Sequence, residues 1–591
     1  MTGWGRFQGY NIASLRKDII SGTIVGVIAI PLGMAFAIAS GVNPEYGIYT
    51  TIVAGILISV FGGSKFQIGG PTGAFIPILF AIAMEYGYEN LLIAGMMAGV
   101  ILVVMGLLRL GVLIKFIPKP VTVGFTAGIA VIIFTGQIGN FLGLKGIKRH
   151  EAFIDNMKEL GLHISTVNLY SVLTAAICFA VVVLGLRFAP KVPGSLVGLL
   201  CASVFAALFF SGKVTTIGSA YGDIPNTLPS FHFPVITWER IRHLLRPAFV
   251  IAMLGAIESL LSAVVADGMS GSRHNSNREL IGQGIANIAA PMFGGIPATG
   301  AIARTATNIR SGAASPLSGV IHGVVVFLIL LLFAPYASSI PLAAMAPILM
   351  VVAWNMSERK QFLQLLKLGT GDSLVLFITF LLTVFADLTV AVEVGLVLAV
   401  ILFVKRMGES HLVSKVLPDP ASVKVAAHMV TDSHDCPQIG MYNVEGPLFF
   451  GAAYRFSDTM PEPGPGQAKL MILRMGKVPF IDTTGEANLS GLVKQLQTAG
   501  GKLIITGIQP QPLDLLKRTG LYGKIGVEQF FDHTGDAINA ALAMINTDRC
   551  AGCSHSAFRE CGALCAVEEV PGRGVFKGRK PAVAGKLSSG I

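Results

Sequence analysis

The stretch GGPTGAF, residues 69–75, breaks one long apolar run, and GGIPATGA, residues 294–301, breaks another. Each opens with a glycine pair, passes a proline and continues into Thr-Gly-Ala. Gly69, Gly70 and Pro71 resist helix formation, so the chain is expected to cross part of a bilayer extended and to start a helix only near mid-depth. Gly294, Gly295 and Pro297 impose the same on the other half. Short segments interrupted by glycine and proline, at matching positions of two halves, point to a ligand site between broken helices. Each half-helix leaves its first amides without intrahelical partners and carries about half a positive charge at its N-terminus. Two such ends facing each other form an anion site, with donors expected at Thr72, Gly73 and Ala74 and at Thr299, Gly300 and Ala301. A pair of kinks with only a packing role is the competing reading.

The surrounding composition fits a membrane setting. Of 591 residues, 53% are hydrophobic and 13% charged, whereas a soluble globular chain carries about 25% charged residues. The chain is therefore a multi-span membrane protein. Apolar segments dominate residues 19–407; from 408 onward the sequence is that of a soluble domain. The net charge of +11 raises nucleic-acid binding, but the basic residues cluster beside apolar segments, which is a topology signal, and nucleic acid is excluded as a partner. Residues 1–18 show no separate h-region and cleavage site, so no signal peptide is expected. Cys178 and Cys201 fall inside apolar runs; the other five of the seven cysteines lie in the soluble part, with no secretory context to suggest disulfides.

Fourteen candidate spans follow, with the lipid bilayer as solvent: 19–39, 46–62, 72–85, 91–108, 120–141, 168–187 and 194–211, then 248–267, 278–293, 299–310, 316–335, 340–354, 372–388 and 390–407. Several are shorter than the roughly 20 residues that cross a bilayer, and 72–85 and 299–310, which follow the two motifs, are the shortest credible ones. With a cytoplasmic N-terminus, the inside loops hold Arg109, Lys115, Lys119, Arg187, Lys191, Arg273, Arg278, Arg310, Arg359, Lys360, Lys367, Lys405 and Arg406, as the positive-inside bias requires. Loops 143–167 and 212–247 fall outside, the second despite its arginines. An even span count places both termini in the cytoplasm, with the protein in the plasma (inner) membrane.

Two residues are costly at membrane depth. Arg304, in GAIARTATN, sits about one turn inside the second half-helix; an intramembrane guanidinium faces a cavity, a partner or a ligand. Either an anion or Glu258 satisfies it. Glu258, in AIESLLSAVVADG, must be protonated, paired with Arg304 or bound to a cation. Ser262 lies four residues on, on the same helix face, so Glu258, Ser262 and carbonyls near Gly300 make a candidate site for a coupling Na+ or H+; no other cofactor is required. Asp267 is placed at the cytoplasmic boundary, and Phe36, after Pro31, is a candidate pocket wall.

Residues 420–545 read as a small α/β domain: strand-like MYNVEGPLFF, KLMILRM and KLIITGI alternate with helical stretches 484–499, 510–519 and 535–545. No GxxxxGK[ST] motif occurs, so ATP-driven pumping has no support. In the tail, 546–591, Cys550, Cys553, Cys561 and Cys565 fall within sixteen residues beside His555. Four thiols can hold zinc or an iron–sulfur cluster; free reducible thiols are the alternative.

IPLGMAFAIASGV, GGPTGAF, ELIGQGIANIAAPMFGGIPATGAIARTATNIRSGA and IDTTG together resemble the SulP anion transporters over about residues 10–545. Their animal relatives are sulfate, chloride/bicarbonate and oxalate exchangers and the motor protein prestin. MLGAIESLLSAVVADGMSG and VVAWNMSE are similar to a bacterial subgroup of sulfate permeases and C4-dicarboxylate transporters. The resemblance implies an α-helical polytopic fold of two inverted seven-span repeats, a core domain moving against a gate domain, a homodimer, and a cytoplasmic C-terminal STAS domain able to bind a regulator. Carried over by motif, the family's anion site falls on Phe36, on Thr72, Gly73 and Ala74, and on Ala301, Ala303 and Arg304. The cation site of sodium-coupled bicarbonate members falls on Glu258 and Ser262. Two positions depart from the pattern: Leu32 stands where a pocket glutamine is common and Ala303 where a pocket serine is, so two polar groups are missing. In Asp482-Thr483-Thr484-Gly485 the resemblance places Thr484 at a loop where related regulators are phosphorylated; an N-cap that starts the helix is the alternative.

These readings imply a secondary active transporter of sulfate, bicarbonate or a C4-dicarboxylate by alternating access. An anion channel or exchanger with little coupled transport is the rival. An intramembrane enzyme is excluded, because no nucleophile and base converge in the sequence.

Overall fold

The computed structural model describes residues 10–111, 118–188, 193–227, 230–386, 388–409, 412–419, 425–431, 434–452, 456, 458–460, 468–550, 553–555 and 557–561. Contacts divide the chain into two compact units, Met1–Ala399 and Val400–Ile591.

Each expected segment of the apolar region holds a helix, and shorter helices, Arg359–Lys367 among them, lie between or beside these. The first seven are α1 (Ile12–Ala39), α2 (Pro44–Phe61), α3 (Ile76–Tyr86), α4 (Tyr88–Leu107), α5 (Lys119–Gly136), α6 (Leu169–Phe188) and α7 (Gly194–Phe209). The second seven are α8 (Trp238–Ser270), α9 (Ser276–Met292), α10 (Ile302–Arg310), α11 (Leu317–Ala337), α12 (Leu342–Met356), α13 (Gly371–Phe385) and α14 (Leu388–Glu409). By length and composition, six are apolar enough to cross a bilayer among the described residues: α1, α2, α4, α5 with the short turn that continues it to Leu142, α8 and α11. α3 and α10, which follow the glycine–proline motifs, are 11 and 9 residues long.

Local chemistry sets the ends. Asn11 caps α1 by accepting from the Ser14 amide at 2.9 Å, and Asn275 caps α9 by accepting from the Arg278 amide at 3.0 Å. Thr237 accepts from the Arg240 amide at 3.3 Å and starts α8 ten residues before the expected boundary at 248. The expected outside loop 212–247 is therefore partly helical: Arg240, Arg242 and Arg246 decorate the first turns of α8 rather than a loop. The 143–167 loop likewise contains a helix, Phe153–Leu162.

Helices α1–α4 pack with α8–α11 in one bundle, and α5–α7 pack with α12 and α13 in a second. α14 meets α13 where Gly395 faces Thr379. In lipid, apolar burial does not drive helices together, so close backbone approach and hydrogen bonding must. α4 and α9 meet in this way: a Cβ at Gly99 would lie 2.7 Å from the Gly284 carbonyl oxygen, and one at Gly284 would lie 2.5 Å from that of Gly99. Two buried carboxylates pin loops within the first bundle. Asp18 accepts from the amides of Ala314 (2.7 Å) and Ser315 (3.0 Å). Glu279 accepts from those of Gly63 (2.8 Å) and Ser64 (3.0 Å) and from the Gln283 side chain (2.8 Å).

The second unit is a five-stranded sheet in the order Leu412–Lys415, Ile439–Glu445, Leu470–Lys477, Lys502–Thr506, Phe530–Phe531. The first pair is antiparallel and the others are parallel. Alternation along the strands feeds two cores. Met471, Leu473, Leu503 and Ile505 meet Leu489, Leu492, Val493 and Leu496 of helix Thr483–Thr498. Ile472 and Ile504 meet Ala537, Ile538 and Ala541 of helix Thr534–Leu542. Ala557, Phe558 and Cys561, expected in a separate tail, are buried in this second core.

Candidate functional site

The two motifs meet at the centre of the first bundle. Gly69–Gly70 and Thr299–Gly300 form a two-stranded antiparallel pair, β1 and β2, with Gly69 opposite Gly300 and Gly70 opposite Thr299. This crossing is how two extended segments satisfy their backbones at membrane depth, where only protein can supply partners. The Ala301 amide donates to the Ile68 carbonyl at 2.8 Å, and the Ile68 amide donates to Thr305 Oγ1 at 3.0 Å. Asn287 brackets Ala298, accepting from its amide at 2.8 Å and donating to its carbonyl at 2.7 Å. Thr50 Oγ1 donates to the Ile296 carbonyl (3.1 Å) and Tyr88 to the Gly294 carbonyl (2.6 Å).

Glycine is required at two points of the crossing. Gly70 has φ +149°, and a Cβ there would lie 2.6 Å from Arg304 Nη1. A Cβ on Gly300 would lie 1.8 Å from Gln67 Nε2, which donates to the Ser259 carbonyl at 3.0 Å.

Beyond the crossing the chain turns helical in both halves. Residues Gly73–Phe75 form a single tight turn leading into α3, and Ile302 opens α10. Between the two starts lies a cavity of about 320 Å³, within the first unit. It is lined by Phe36 of α1, by Thr72, Gly73 and Ala74, by Glu258 of α8, and by Ala301, Ala303 and Arg304. Leu32 also reaches it, and the rest of the wall is mostly apolar. Eight of the expected site residues therefore share one cavity. Thr299, Gly300 and Ser262 do not line it. Thr299 and Gly300 lie in β2, where the Thr299 hydroxyl donates to the Gly255 carbonyl at 3.1 Å. Since the Ala301 amide is committed to β1's neighbour Ile68, the free amides of the second end begin at Ile302, one residue later than expected.

The two costly side chains are not paired with each other: among the described residues no ion pair joins Arg304 and Glu258. Arg304 Nη2 donates to the Pro71 carbonyl, so the guanidinium of one half-helix is fastened to the lead-in of the other. Its Nη1 is buried without a hydrogen-bond partner among the described residues. A buried donor left unmade is costly. Glu258 Oε2 accepts from the Thr72 hydroxyl at 2.8 Å. The Ser262 hydroxyl instead donates to Thr305 Oγ1 at 3.3 Å.

Sequence reasoning missed the second bundle's share of the wall: Val121, Thr122, Phe125 and Thr126 of α5, Asn355 and Met356 at the end of α12, and Glu358. No local pattern marks them, because they become neighbours of the motif only through packing between bundles. Glu358 carries one trace of its position, φ +42° in a residue with a side chain.

In the soluble unit, Asp482 caps helix Thr483–Thr498 by accepting from the Gly485 amide (2.8 Å), and its other oxygen accepts from the Phe450 amide (3.0 Å). Thr484 is exposed in the first turn. Of the candidate metal ligands, Cys550 and Cys561 are buried, Cys553 is half-buried, and Cys565 lies outside the described residues. Among the described residues no three histidine, cysteine, aspartate or glutamate side chains are grouped to hold a metal ion.

Comparison with known proteins bears on this geometry. Residues 15–379 match the sulfate permease family and residues 431–537 the STAS domain. YvdB of Bacillus subtilis, which carries a sulfate-transporter name, is 56% identical over 529 residues, covering 90% of this chain and 98% of that protein. The bicarbonate transporter BicA of a Picosynechococcus species is 28% identical, covering 90% and 95%. The solved transmembrane domain of a cyanobacterial BicA aligns with a TM-score of 0.58 at 30% identity, over 66% of this chain and 98% of that one. The murine Slc26a9 anion transporter aligns with a TM-score of 0.82 at 17% identity, over 92% and 94%, a likeness of fold. The chain belongs to the sulfate permease family of membrane anion transporters, and carries a C-terminal STAS domain.

Proposed function

We propose that the protein is a secondary active transporter that carries sulfate, bicarbonate or a C4-dicarboxylate by alternating access. The anion is held between the amides that open the two half-helices, with Arg304 as the single full positive charge, and Phe36 as an apolar wall. The observation that carries this reading is the β1–β2 crossing, which sets both helix starts, Arg304 and Glu258 around one cavity.

Glu258 is the coupling group in this proposal. The Thr72 hydroxyl at the first half-helix start ties it to the anion end, so occupancy of one affects the other. A proton needs only Glu258. A sodium ion would also need Ser262 and the Gly300 carbonyl, neither of which lines the cavity that Glu258 lines, which favours the proton.

Around this site the proposal sets residues 19–407 as the transporter domain, crossing fourteen times as two inverted seven-span repeats, with 1–18, the STAS domain at 420–545 together with its edge strand Leu412–Lys415 and the packed residues 557–561, and the rest of the 546–591 tail in the cytoplasm and the spans in the plasma membrane. The assembly is a homodimer, and exposed Thr484 is the modification point at which a cytoplasmic regulator acts on the STAS domain. The test is uptake into proteoliposomes offered labelled sulfate, bicarbonate, succinate or fumarate, with and without an imposed proton or sodium gradient. Accumulation of one of them that collapses with the proton gradient supports the reading; downhill flux indifferent to both gradients makes the protein a channel or exchanger.

A further inference from the structure

A second cavity, of about 370 Å³, lies farther along α5 from the central one. Val121, Thr122, Phe125 and Thr126 of that helix line the first cavity; Ile132, Ile133, Thr135 and Gln137 line the second. The rise from Thr126 to Ile132 is about 9 Å. The same succession holds elsewhere: Phe36 then Ala39 on α1, and Ala74 then Ile76 on the first half-helix. Ile133 stands between the two chambers: it lines the second, and its Cδ1 lies 3.5 Å from where a Cβ on Gly73, in the wall of the first, would be.

The second chamber is far more polar. Its charged lining is Arg149, His150 and Glu151, and its amides are Gln137, Asn140 and Asn156. Most of these are committed. Asn156 clasps the backbone of His150 in both directions, at 2.9 and 2.6 Å. Glu159, outside the lining, accepts from the Lys148 amide at 3.1 Å and sits 3.5 Å from both His150 and His163, so the ring of His150 is turned to a carboxylate. Glu151 is exposed and makes no ion pair among the described residues. Arg149 is different. It is half-buried, has no carboxylate partner among the described residues, and uses Nη1 alone, donating to the Ile38 carbonyl at 2.9 Å. A guanidinium has five donors in a planar fork suited to an oxyanion. Gln137, in the same lining, is 5% exposed; its Oε1 accepts from Asn140 at 3.5 Å, leaving its NH2 group for a ligand.

We propose that this chamber is a second anion site, an antechamber in which Arg149 and Gln137 hold a small oxyanion or carboxylate with Ile133 between it and the central cavity. The proposal rests on the transport reading for its purpose, since the anion would pass between the chambers when Ile133 moves off Gly73. The bond from Arg149 to Ile38 ties the loop that follows α5 to the end of α1.

The test separates the antechamber from transport itself. In proteoliposomes carrying the anion that scores among sulfate, bicarbonate, succinate and fumarate, Arg149→Gln raises KM about tenfold with kcat within twofold, and Arg149→Lys recovers part of the loss. An arginine that serves only as a strut to Ile38 would change kcat and leave KM unmoved; that outcome overturns the site. Binding provides the second arm. Purified Arg304→Ala protein, with the central site removed, retains weak equilibrium binding of labelled sulfate or succinate, and Arg304→Ala/Arg149→Gln loses it. Absence of a residual component in Arg304→Ala refutes the antechamber even where wild-type transport is intact. A wild type that transports none of the four anions refutes the transport reading alone, and the binding arm still decides the site.

Discussion

Neutralising Glu258 separates coupling from binding. Glu258→Gln keeps the shape and still accepts from Thr72 Oγ1, 2.8 Å away in the wild type, so the half-helix start is undisturbed. What changes is one negative charge on the wall of the anion cavity. Two unit charges about 6 Å apart interact by roughly 3 kcal/mol at an effective dielectric constant of 20, and partial solvation of the cavity reduces this to about 1–2 kcal/mol. An ionised Glu258 therefore weakens anion binding about tenfold, and a protonated one does not. Wild-type affinity should be highest at low pH and fall as Glu258 loses its proton. Glu258→Gln should hold the low-pH affinity across the range. In proteoliposomes the variant should bind and exchange anion but stop accumulating it against a gradient. Equilibrium binding from pH 5 to 9, with gradient-driven uptake on the same preparations, reads both effects. Gradient-driven uptake that survives in Glu258→Gln refutes the reasoning and leaves the carboxylate a structural partner of Thr72.

Three further outcomes follow from the geometry. Gly70→Ala must adopt φ +149° and push Arg304 Nη1 from 2.6 Å, at about 1–3 kcal/mol of backbone strain; anion affinity should fall tenfold or more although Arg304 is still present, and wild-type binding would dismiss the crossing as a determinant. Asn287→Leu orphans both backbone groups of Ala298, at about 1–3 kcal/mol each; a lowered midpoint in thermal unfolding of the detergent-solubilised protein checks it, and an unchanged midpoint contradicts it. Truncation before residue 546 removes Phe558 and Cys561 from a soluble-domain core and should lower the unfolding midpoint of the STAS domain while gradient-driven uptake persists, whereas truncation after residue 561 should leave both at wild-type values.

The fold was legible wherever a single helix or strand could be judged alone. Each of the fourteen apolar segments holds a helix, and the strands Leu470–Lys477 and Lys502–Thr506 sit where alternation placed them. The start of α8 was misplaced because Arg240, Arg242 and Arg246 lower the local hydropathy of turns that are helical all the same. The edge strands Leu412–Lys415 and Phe530–Phe531 were missed, being too short for periodicity to register. At the site, glycine, proline and buried charge are costly in one dimension and so visible: Gly70, Pro71, Glu258 and Arg304 could be read directly. Their partners could not. Nothing local distinguishes Thr72 as the donor to Glu258, or Thr305 rather than Glu258 as the neighbour of Ser262. Nothing local marks Asp18 or Glu279, although each is fully buried and holds a loop. The β1–β2 register pairs residues more than two hundred positions apart, and only the repeated motif hinted at it.

The central claim is that two crossed half-helices and one guanidinium make an anion site. Equilibrium binding of the transported anion to purified Arg304→Ala protein tests it most directly. The account predicts a loss of affinity of about a hundredfold or more, from the removal of the single full positive charge and the contact it makes to a charged ligand, in protein that remains monodisperse and retains its helical circular dichroism. Wild-type affinity in that variant would contradict the account and move the anion away from the crossing.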